Sequence, residues 1–380
     1  YLGKYLFSGD DVFKLVSRVS VARSEESRLE RLADPSKLAG VDENDPKSLA
    51  RWMELTPAQT LPEAEPIISI APAEAAAAAE TGAAVRDYLS YTIDEPLDGM
   101  RRQAEALRSL IGAPAGKIRV GVELNGLPAP LATIFNRTFA TADIQPLDDA
   151  FDLLRAIKTP VEIEKIQAAL QLCDLAQAYV AASAAQGLSE IELWGALKAH
   201  LEVAAGGRLP VLADLVAGLR TADIGGLPGS YRLQAGDAVI ADIVPRLNGY
   251  WGDNAGTHFV GEPPAELKKI HRIVRDTLRK GIEAIRPGVR ADELDFMLRG
   301  EIERHGYPAY PHHSGHGLGA TFHEEPRLVP YNQLPLQAGM IVAIEPGIYA
   351  PGLGGVRLED VVLVTQDGCQ VLTHHLDAQV

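Results

Sequence analysis

The sequence predicts an α+β fold in two parts, the second built twice from one helix–helix–strand plan. Three matched pairs of segments carry this expectation. "PVEIEKI" at 160 matches "PAELKKI" at 264, "GLSEIELWGAL" at 187 matches "GVRADELDFML" at 288, and "LQAGDAVIAD" at 233 matches "LQAGMIVAIE" at 336. The offsets are 104, 101 and 103 residues, so one period covers all three. A duplication of this kind folds as two half-sheets related by a pseudo-twofold axis, with the helices packed behind them.

Bulk properties set the frame. A chain of 380 residues has room for two domains, since domains typically hold about 100–200 residues. A 46% hydrophobic content supplies a large core. No apolar run approaches the roughly 20 residues of a membrane span, so no membrane partner is expected. The opening "YLGKYLFSGD" lacks the order of a signal peptide. Cys173 and Cys369 are the two cysteines and offer no disulfide framework, as expected of a cytoplasmic protein. A net charge of -15 argues against nucleic acid as a partner, because phosphate binding relies on basic surface.

The elements follow in order. The first 60 or so residues are polar and uneven. "PIISIAP" reads as a short strand, "AEAAAAAETGAAVRDYLSYT" as a helix and connection, "MRRQAEALRSLIG" as a helix, and "KIRVGVEL" as a strand. The alternation suggests a small α/β domain over 1–150, with no catalytic cluster in it. A long amphipathic helix then begins in "TPVEIEKI", with Pro160 in its first turn where a missing N–H costs little. The second domain is placed at 151–380.

Both copies of the repeated strand end on an acid, Asp242 and Glu345. Each is followed by a strand with a further acid, Asp253 in "YWGDNAGTHFV" and Glu359 in "VRLEDVVLV". A hairpin centred between Leu247 and Asn248 places Asp242 opposite Asp253 on one face. Like charges across a ladder are destabilising, so two such pairs near an axis call for a cation. Hard oxygen ligands suit divalent ions such as Mn.

Between the acid-bearing strands lies "PAYPHHSGHGLGATFHEEP", with His312, His313, His316 and His323 within twelve residues. Glycines on both sides of His316 let it approach a site closely. A lone histidine is more often structural, but four in a Gly-rich stretch point to a site; His313 is left without an assigned role. Asp237 reads as a turn residue, Asp360 as facing away from Glu359, and His258 as packing or hydrogen-bonded. Tyr250 and Trp251 read as a pocket wall or as core.

The order Asp, Asp, His, Glu, Glu, with "GHGLG", "EPGIY" and "RLED", resembles the pita-bread metallopeptidases, family M24, and within them the Xaa-Pro dipeptidase (prolidase) and aminopeptidase P branch. "LLRAIKTPVEIEKI" resembles that branch's link between a creatinase-like N-terminal domain and a pita-bread catalytic domain. The resemblance implies two divalent cations, Mn first and Co or Zn as alternatives, held by Asp242, Asp253, His316, Glu345 and Glu359. Asp253 and Glu359 would bridge the ions, and a hydroxide between them would attack the Xaa-Pro bond. Glu345 matches the proton shuttle, His323 the histidine facing substrate and oxyanion, and His312 one lining the substrate pocket. Arg357 shares a strand face with Glu359 and is expected to orient it or to pair with a substrate carboxylate. The partners implied are short proline-containing peptides and a second copy in a homodimer.

The chain departs from the branch at Gly225, where a substrate-binding histidine is expected, and lacks the usual Arg-Thr pair after the second aspartate. This keeps two alternatives open: a metal-dependent hydrolase of a small non-peptide amide, and a non-catalytic binding protein on the same fold. Whether the activity is that of a dipeptidase or an aminopeptidase also stays open.

Overall fold

In the computed structural model of the chain, residues 148–375 are described without a break. Before them only short stretches between 67 and 146 are described. The chain divides into two compact units, Tyr1–Leu154 and Arg155–Val380.

In the first unit, β1 (Ile67–Ile70) runs parallel to β2 (Ala84–Asp87), and β3 (Arg119–Val122) parallel to β4 (Asp143–Pro146). β1 and β3 are the strands expected at "PIISIAP" and "KIRVGVEL". β2 corrects the reading of its segment as helix and connection: Ala84–Asp87 pairs along all four residues of β1, and ladder hydrogen bonding overrides a weak local preference. The alanine run and the polar first 60 residues lie outside the described residues. In the segment read as a helix at 100–112, the described residues 101–103 and 105–106 are helical. Helix α1 (Asp148–Ala156) opens on Asp148 and Asp149, charges that favour a helix N-terminus.

The second unit carries the duplication. Its first copy has α2 (Pro160–Ser183), α3 (Glu190–Ala205), β5 (Val211–Ala217), β6 (Ala238–Leu247), β7 (Tyr250–Trp251) and β8 (Asn254–Phe259). The second has α4 (Ala265–Ala284), α5 (Ala291–Arg304), β9 (Gly315–Gly317), β10 (Glu324–Leu328), β11 (Ile341–Ile344), β12 (Gly347–Ala350), β13 (Gly354–Arg357), β14 (Asp360–Val364) and β15 (Cys369–Val371). Capping boxes start the first two helices: Thr159 with Glu162, and Ser189 with Glu192. Each satisfies two donors that a helix start would otherwise leave unpaired.

The repeated "LQAG" turns dock alike. Gly187 N–H donates to Leu233 O at 2.8 Å and Leu233 N–H to Leu188 O at 2.9 Å. In the second copy Gly288 N–H donates to Leu336 O at 2.9 Å and Leu336 N–H to Val289 O at 2.8 Å. Gly236 and Gly339, which close the two turns, share a φ of 92°, a conformation that strongly favours glycine. Among the described residues no helix is long and apolar enough to cross a membrane.

β6 is the central strand of the first half-sheet, antiparallel to β5 on one side and to β7 and β8 on the other. Val239, Ala241 and Ile243 face the helices, packing with Leu172, Ala176 and Val180 of α2 and Leu193, Leu197 and Leu201 of α3. By alternation Asp242 points to the opposite face. In the second half, Val342 and Ile344 of β11 pack on Ile270, Val274 and Leu278 of α4 and Leu294 and Leu298 of α5. The next residue, Glu345, turns to the open face.

Register corrects one expectation. Leu247 pairs with Tyr250 across Asn248 and Gly249, whose φ values are 51° and 85°. This two-residue Asn-Gly turn, of the kind hairpins favour, centres the hairpin one residue later than expected. Asp242 therefore faces Ala255, and Asp253 lies two residues along, on the same face. In the second copy Ile344 pairs with Asp360 and Gly347 with Arg357. Glu345 and Glu359 occupy the facing positions between those pairs. The two acid pairs are thus not equivalent: Ala255 corresponds to Glu359, and Asp253 to Arg357.

Candidate metal centre

The open faces of the two half-sheets meet in a cavity of 640 Å³ lined by Asp242, Asp253, His312, His313, His316, His323, Glu345, Arg357 and Glu359, among others. All eight expected site residues are in that lining.

His316 is placed by close packing. A Cβ at Gly315 would overlap Ala343 O, and one at Gly317 would overlap Glu325 O and lie 2.6 Å from its carbonyl carbon. β9 is pressed between β10 and β11, and only glycine flanks allow it. Burial lowers the His316 ring to about 4, so it is neutral at pH 7. Its Nδ1–H donates to Gly317 O at 2.9 Å. That fixes the tautomer and leaves the Nε2 lone pair facing Asp253 Oδ2 at 3.6 Å and Glu345 Oε1 at 3.8 Å.

Three of the four carboxylates are pushed in the same sense. Burial raises Asp242 to about 6 in spite of Arg357, with Glu345 and Asp214 adding to the rise. Burial also pushes Asp253 well up, helped by Asp242 and Glu345. Glu359 is pushed well up by burial and by Asp253, Glu345 and Asp242. Glu345 differs: burial favours its protonated form, but the His313 hydrogen bond and the His312 and His316 rings hold it down at about 2. Asp242 Oδ1, Asp253 Oδ1 and Glu359 Oε1 are buried with no hydrogen-bond partner. An imidazole lone pair aimed at carboxylate oxygens, with three further oxygens unpartnered, fits a divalent cation. Ligand atoms of Asp253, His316 and Glu359 lie within 4.8 Å of one another, as do those of His313, His316 and His323.

His312 donates from Nδ1 to His313 O at 2.8 Å and meets Tyr349 Oη through Nε2 at 2.8 Å. Its ring stacks on Tyr310 at 4.8 Å. Burial, with the His316 and His313 rings, lowers His323 to about 3, and its ring centroid lies 4.2 Å from that of His316. Arg357 is buried and reaches Asp242 Oδ2 at 2.7 Å, Asp214 Oδ2 at 3.4 Å and Ile224 O at 2.6 Å. Its guanidinium is drawn to the Asp242 side of the cavity, so the expectation that it orients Glu359 is replaced by contact with Asp242.

Three residues that the sequence left without a role stand in the site. His313 donates from Nε2 to Glu345 Oε1 at 2.8 Å. Tyr349 joins His312 to Arg357, whose Nη1 it meets at 3.3 Å; its place four residues after Glu345 was the available signal. Asp214, a charge within the apolar "VLADLVAG", lies in register with Asp242. The residues read as bystanders are accounted for. Asp237 accepts from Gln234 N–H at 2.8 Å, Asp360 accepts from Thr373 Oγ1 at 2.7 Å, and His258 meets Gln177 Oε1 at 2.8 Å. Tyr250 and Trp251 are buried in core contacts.

Comparison with known proteins gives the family and the fold. The model of metallopeptidase family M24 matches residues 164–366. The Xaa-Pro dipeptidase of Pyrococcus furiosus is 38% identical over 233 residues, covering 61% of this chain and 67% of the relative. That of Pyrococcus horikoshii is 32% identical over 280 residues, covering 73% and 78%. Among solved structures, the prolidase from Pyrococcus furiosus superposes with a TM-score of 0.71 at 29% identity, over 81% of this chain and 87% of that one. The Xaa-Pro dipeptidase from Bacillus anthracis gives 0.72 at 26% identity, over 95% and 97%. With a family match across more than half its length and a duplicated half-sheet that brings acids and histidines into one cavity, the chain belongs to metallopeptidase family M24 and has its pita-bread fold.

Proposed function

We propose that the chain hydrolyses the Xaa-Pro bond of dipeptides or short peptides with two divalent cations, Mn first, held by Asp242, Asp253, His316, Glu345 and Glu359. The observation that carries this reading is the His316 Nε2 lone pair facing Asp253 and Glu345 beside three unpartnered carboxylate oxygens. The names of the relatives above support the Xaa-Pro substrate class.

Bound cations would acidify a water and polarise the scissile carbonyl. The chain's own residues supply the rest. Glu345, held ionised by its histidine neighbours, takes a proton from the attacking water and passes it to the leaving nitrogen. His323, neutral at pH 7, donates a hydrogen bond to the oxygen that gains charge. His312, held by His313 O and Tyr349, lines the substrate's path. Arg357 fixes the carboxylate of Asp242. The protein is further proposed to act in the cytoplasm as a homodimer, with a creatinase-like first domain.

The test is an activity panel on Mn-loaded protein. Release of proline from Xaa-Pro dipeptides marks a dipeptidase, and preference for Xaa-Pro-Yaa tripeptides marks an aminopeptidase. If all Xaa-Pro peptides stay intact, the reading fails. Cleavage of small non-peptide amides would then favour the alternative left open by Gly225.

A further inference from the structure

We propose that Asp214 is a specificity-determining carboxylate that binds a cationic group on the amino-terminal residue of the substrate, and that Gly225 makes room for it. The inference rests on the peptidase reading above and names the feature that its substrate must carry.

Asp214 stands on β5 directly across from Asp242, so its side chain shares the cavity face. It lines the same 640 Å³ cavity. Its side chain is 39% exposed, against 17% for Asp242, 10% for Glu345 and 5% for Asp253. Among these acids Asp214 is therefore the one nearest the mouth. The hydrogen bond from Arg357 Nη2 to its Oδ2 is long, 3.4 Å, while the same Nη2 reaches Asp242 at 2.7 Å. Asp214 Oδ1 accepts no hydrogen bond among the described residues. One oxygen is thus unpartnered, on a half-exposed group in the cavity lining that keeps only a loose ion pair with Arg357.

Gly225 explains how the carboxylate fits. A Cβ there would overlap Asp214 Oδ2 and lie 2.6 Å from Cγ. Gly225 is not among the glycines with positive φ, so the backbone would accept a side chain. The Asp214 carboxylate occupies the space that a side chain there would take and would have to swing aside for it. Where the resembled branch carries an imidazole, this chain carries an acid from the neighbouring strand.

Charge decides which end of a substrate Asp214 takes. A free Xaa-Pro dipeptide has an ammonium on Xaa and a carboxylate on proline. An anionic group at the mouth repels the second and attracts the first. Leu212, Ile224 and Leu227 are exposed in the same lining, a setting for the aliphatic part of the amino-terminal residue. The cation can be the α-ammonium or a basic side chain.

The test is equilibrium binding, read by calorimetry on Mn-loaded protein, so it does not depend on turnover. Leucinamide is compared with its neutral desamino analogue, and lysinamide with leucinamide. Wild type is expected to bind leucinamide at least about tenfold tighter than the analogue, and Asp214→Asn to lose that preference with metal content unchanged. A loss confined to lysinamide assigns the cation to the side chain; an equal loss for both amides assigns it to the α-ammonium. Gly225→Ala, which displaces the Asp214 carboxylate, is expected to act in the same way and serves if Asp214→Asn folds poorly. If both variants keep the preference for leucinamide over its analogue and also keep the lysinamide affinity, the proposal is overturned, as it is by loss of metal in step with affinity. Failure to cleave Xaa-Pro peptides would sink the proposed function but leave this binding comparison readable.

Discussion

Glu359 donates its backbone N–H to the carbonyl oxygen of Ala255 at 2.8 Å. In the two ladders these residues hold corresponding places, one opposite Glu345 and the other opposite Asp242. Corresponding positions that bond to each other mark where the pseudo-twofold axis crosses the sheet. Two residues away, Thr257 Oγ1 accepts from Arg357 N–H at 3.1 Å and donates to Arg357 O at 2.8 Å. One hydroxyl therefore replaces a rung of ladder between the halves.

Thr257→Val keeps the volume and removes that rung. Two buried backbone groups of Arg357 lose their partner, at about 1–3 kcal/mol each. The expected outcome is a loss of about 2–6 kcal/mol in urea unfolding, with a lower midpoint and an unchanged slope. A variant as stable as wild type would show that the halves are joined elsewhere.

Glu359→Gln should separate the needs of folding from those of metal binding. Glu359 is pushed towards its protonated form by burial and by three neighbouring acids, so the amide relieves repulsion in metal-free protein. At pH 7.5 without metal, the melting temperature is expected to hold or rise. In wild type, Mn at about 100 times its dissociation constant should add about 2.7 kcal/mol, or several degrees in a unit of this size. The variant should lose most of that gain. Calorimetry with and without Mn reads both arms, and a full gain in the variant would remove Glu359 from the ligand set.

The Lys158–Glu324 pair, 2.9 Å apart with side chains 1% and 3% exposed, ties the segment just before α2 to the first residue of β10. Glu324 also accepts Thr321 N–H at 2.9 Å, which folds the loop that carries His323. Removing one partner of a buried pair costs about 3–5 kcal/mol, and Lys158→Met is expected to do so. Adding Glu324→Leu should restore most of the stability, because no charge is left uncompensated. Turnover should stay low in the double variant, since the Thr321 anchor is gone. Equal recovery of stability and rate would show that the pair has no hold on His323.

His258 provides a pH test away from the acids. Burial, with the His375 and His271 charges, lowers it to about 3. Below pH 6.5 the unfolded chain takes up a proton that the folded chain refuses. Its contribution to stability is whole above 6.5 and is lost as pH falls towards 3, by about 1.4 kcal/mol per unit. His258→Gln is expected to flatten the fall in urea midpoint between pH 6.5 and 4. Parallel curves for the two proteins would assign acid sensitivity to other groups.

Much of this was legible in the sequence because the duplication repeats hydrogen bonds as well as letters. "LQAG" at 233 and 336 makes the same turn on the same helix start, and a fixed strand length then delivers Asp242 and Glu345 to one face. The ordered acids and "GHG" named the family. What stayed hidden depends on register and on space. The Asn248–Gly249 turn shifts Asp253 by two places, which amphipathic pattern alone does not reveal, since a shift of two leaves every side chain on its face. Asp214 reads as an oddity in an apolar strand until the ladder sets it beside Asp242. His313 looks no different from His312 in sequence, and only the fold puts its Nε2 on Glu345.

The seam at Ala255 and Glu359 has a consequence for how the molecule is assembled. Asp242 and Asp253 come from the first copy, and His316, Glu345 and Glu359 from the second; each copy has its own helices and core, and a third core packs Ile166, Leu170 and Val244 of the first against Leu318, Ile341 and Val361 of the second. Neither half can hold the cation that the five residues together would hold. Ion occupancy would then be linked to the folding of both copies as one unit, so free metal concentration would add to the stability of the whole. A peptidase wired in this way becomes competent to cut only after its two halves have met.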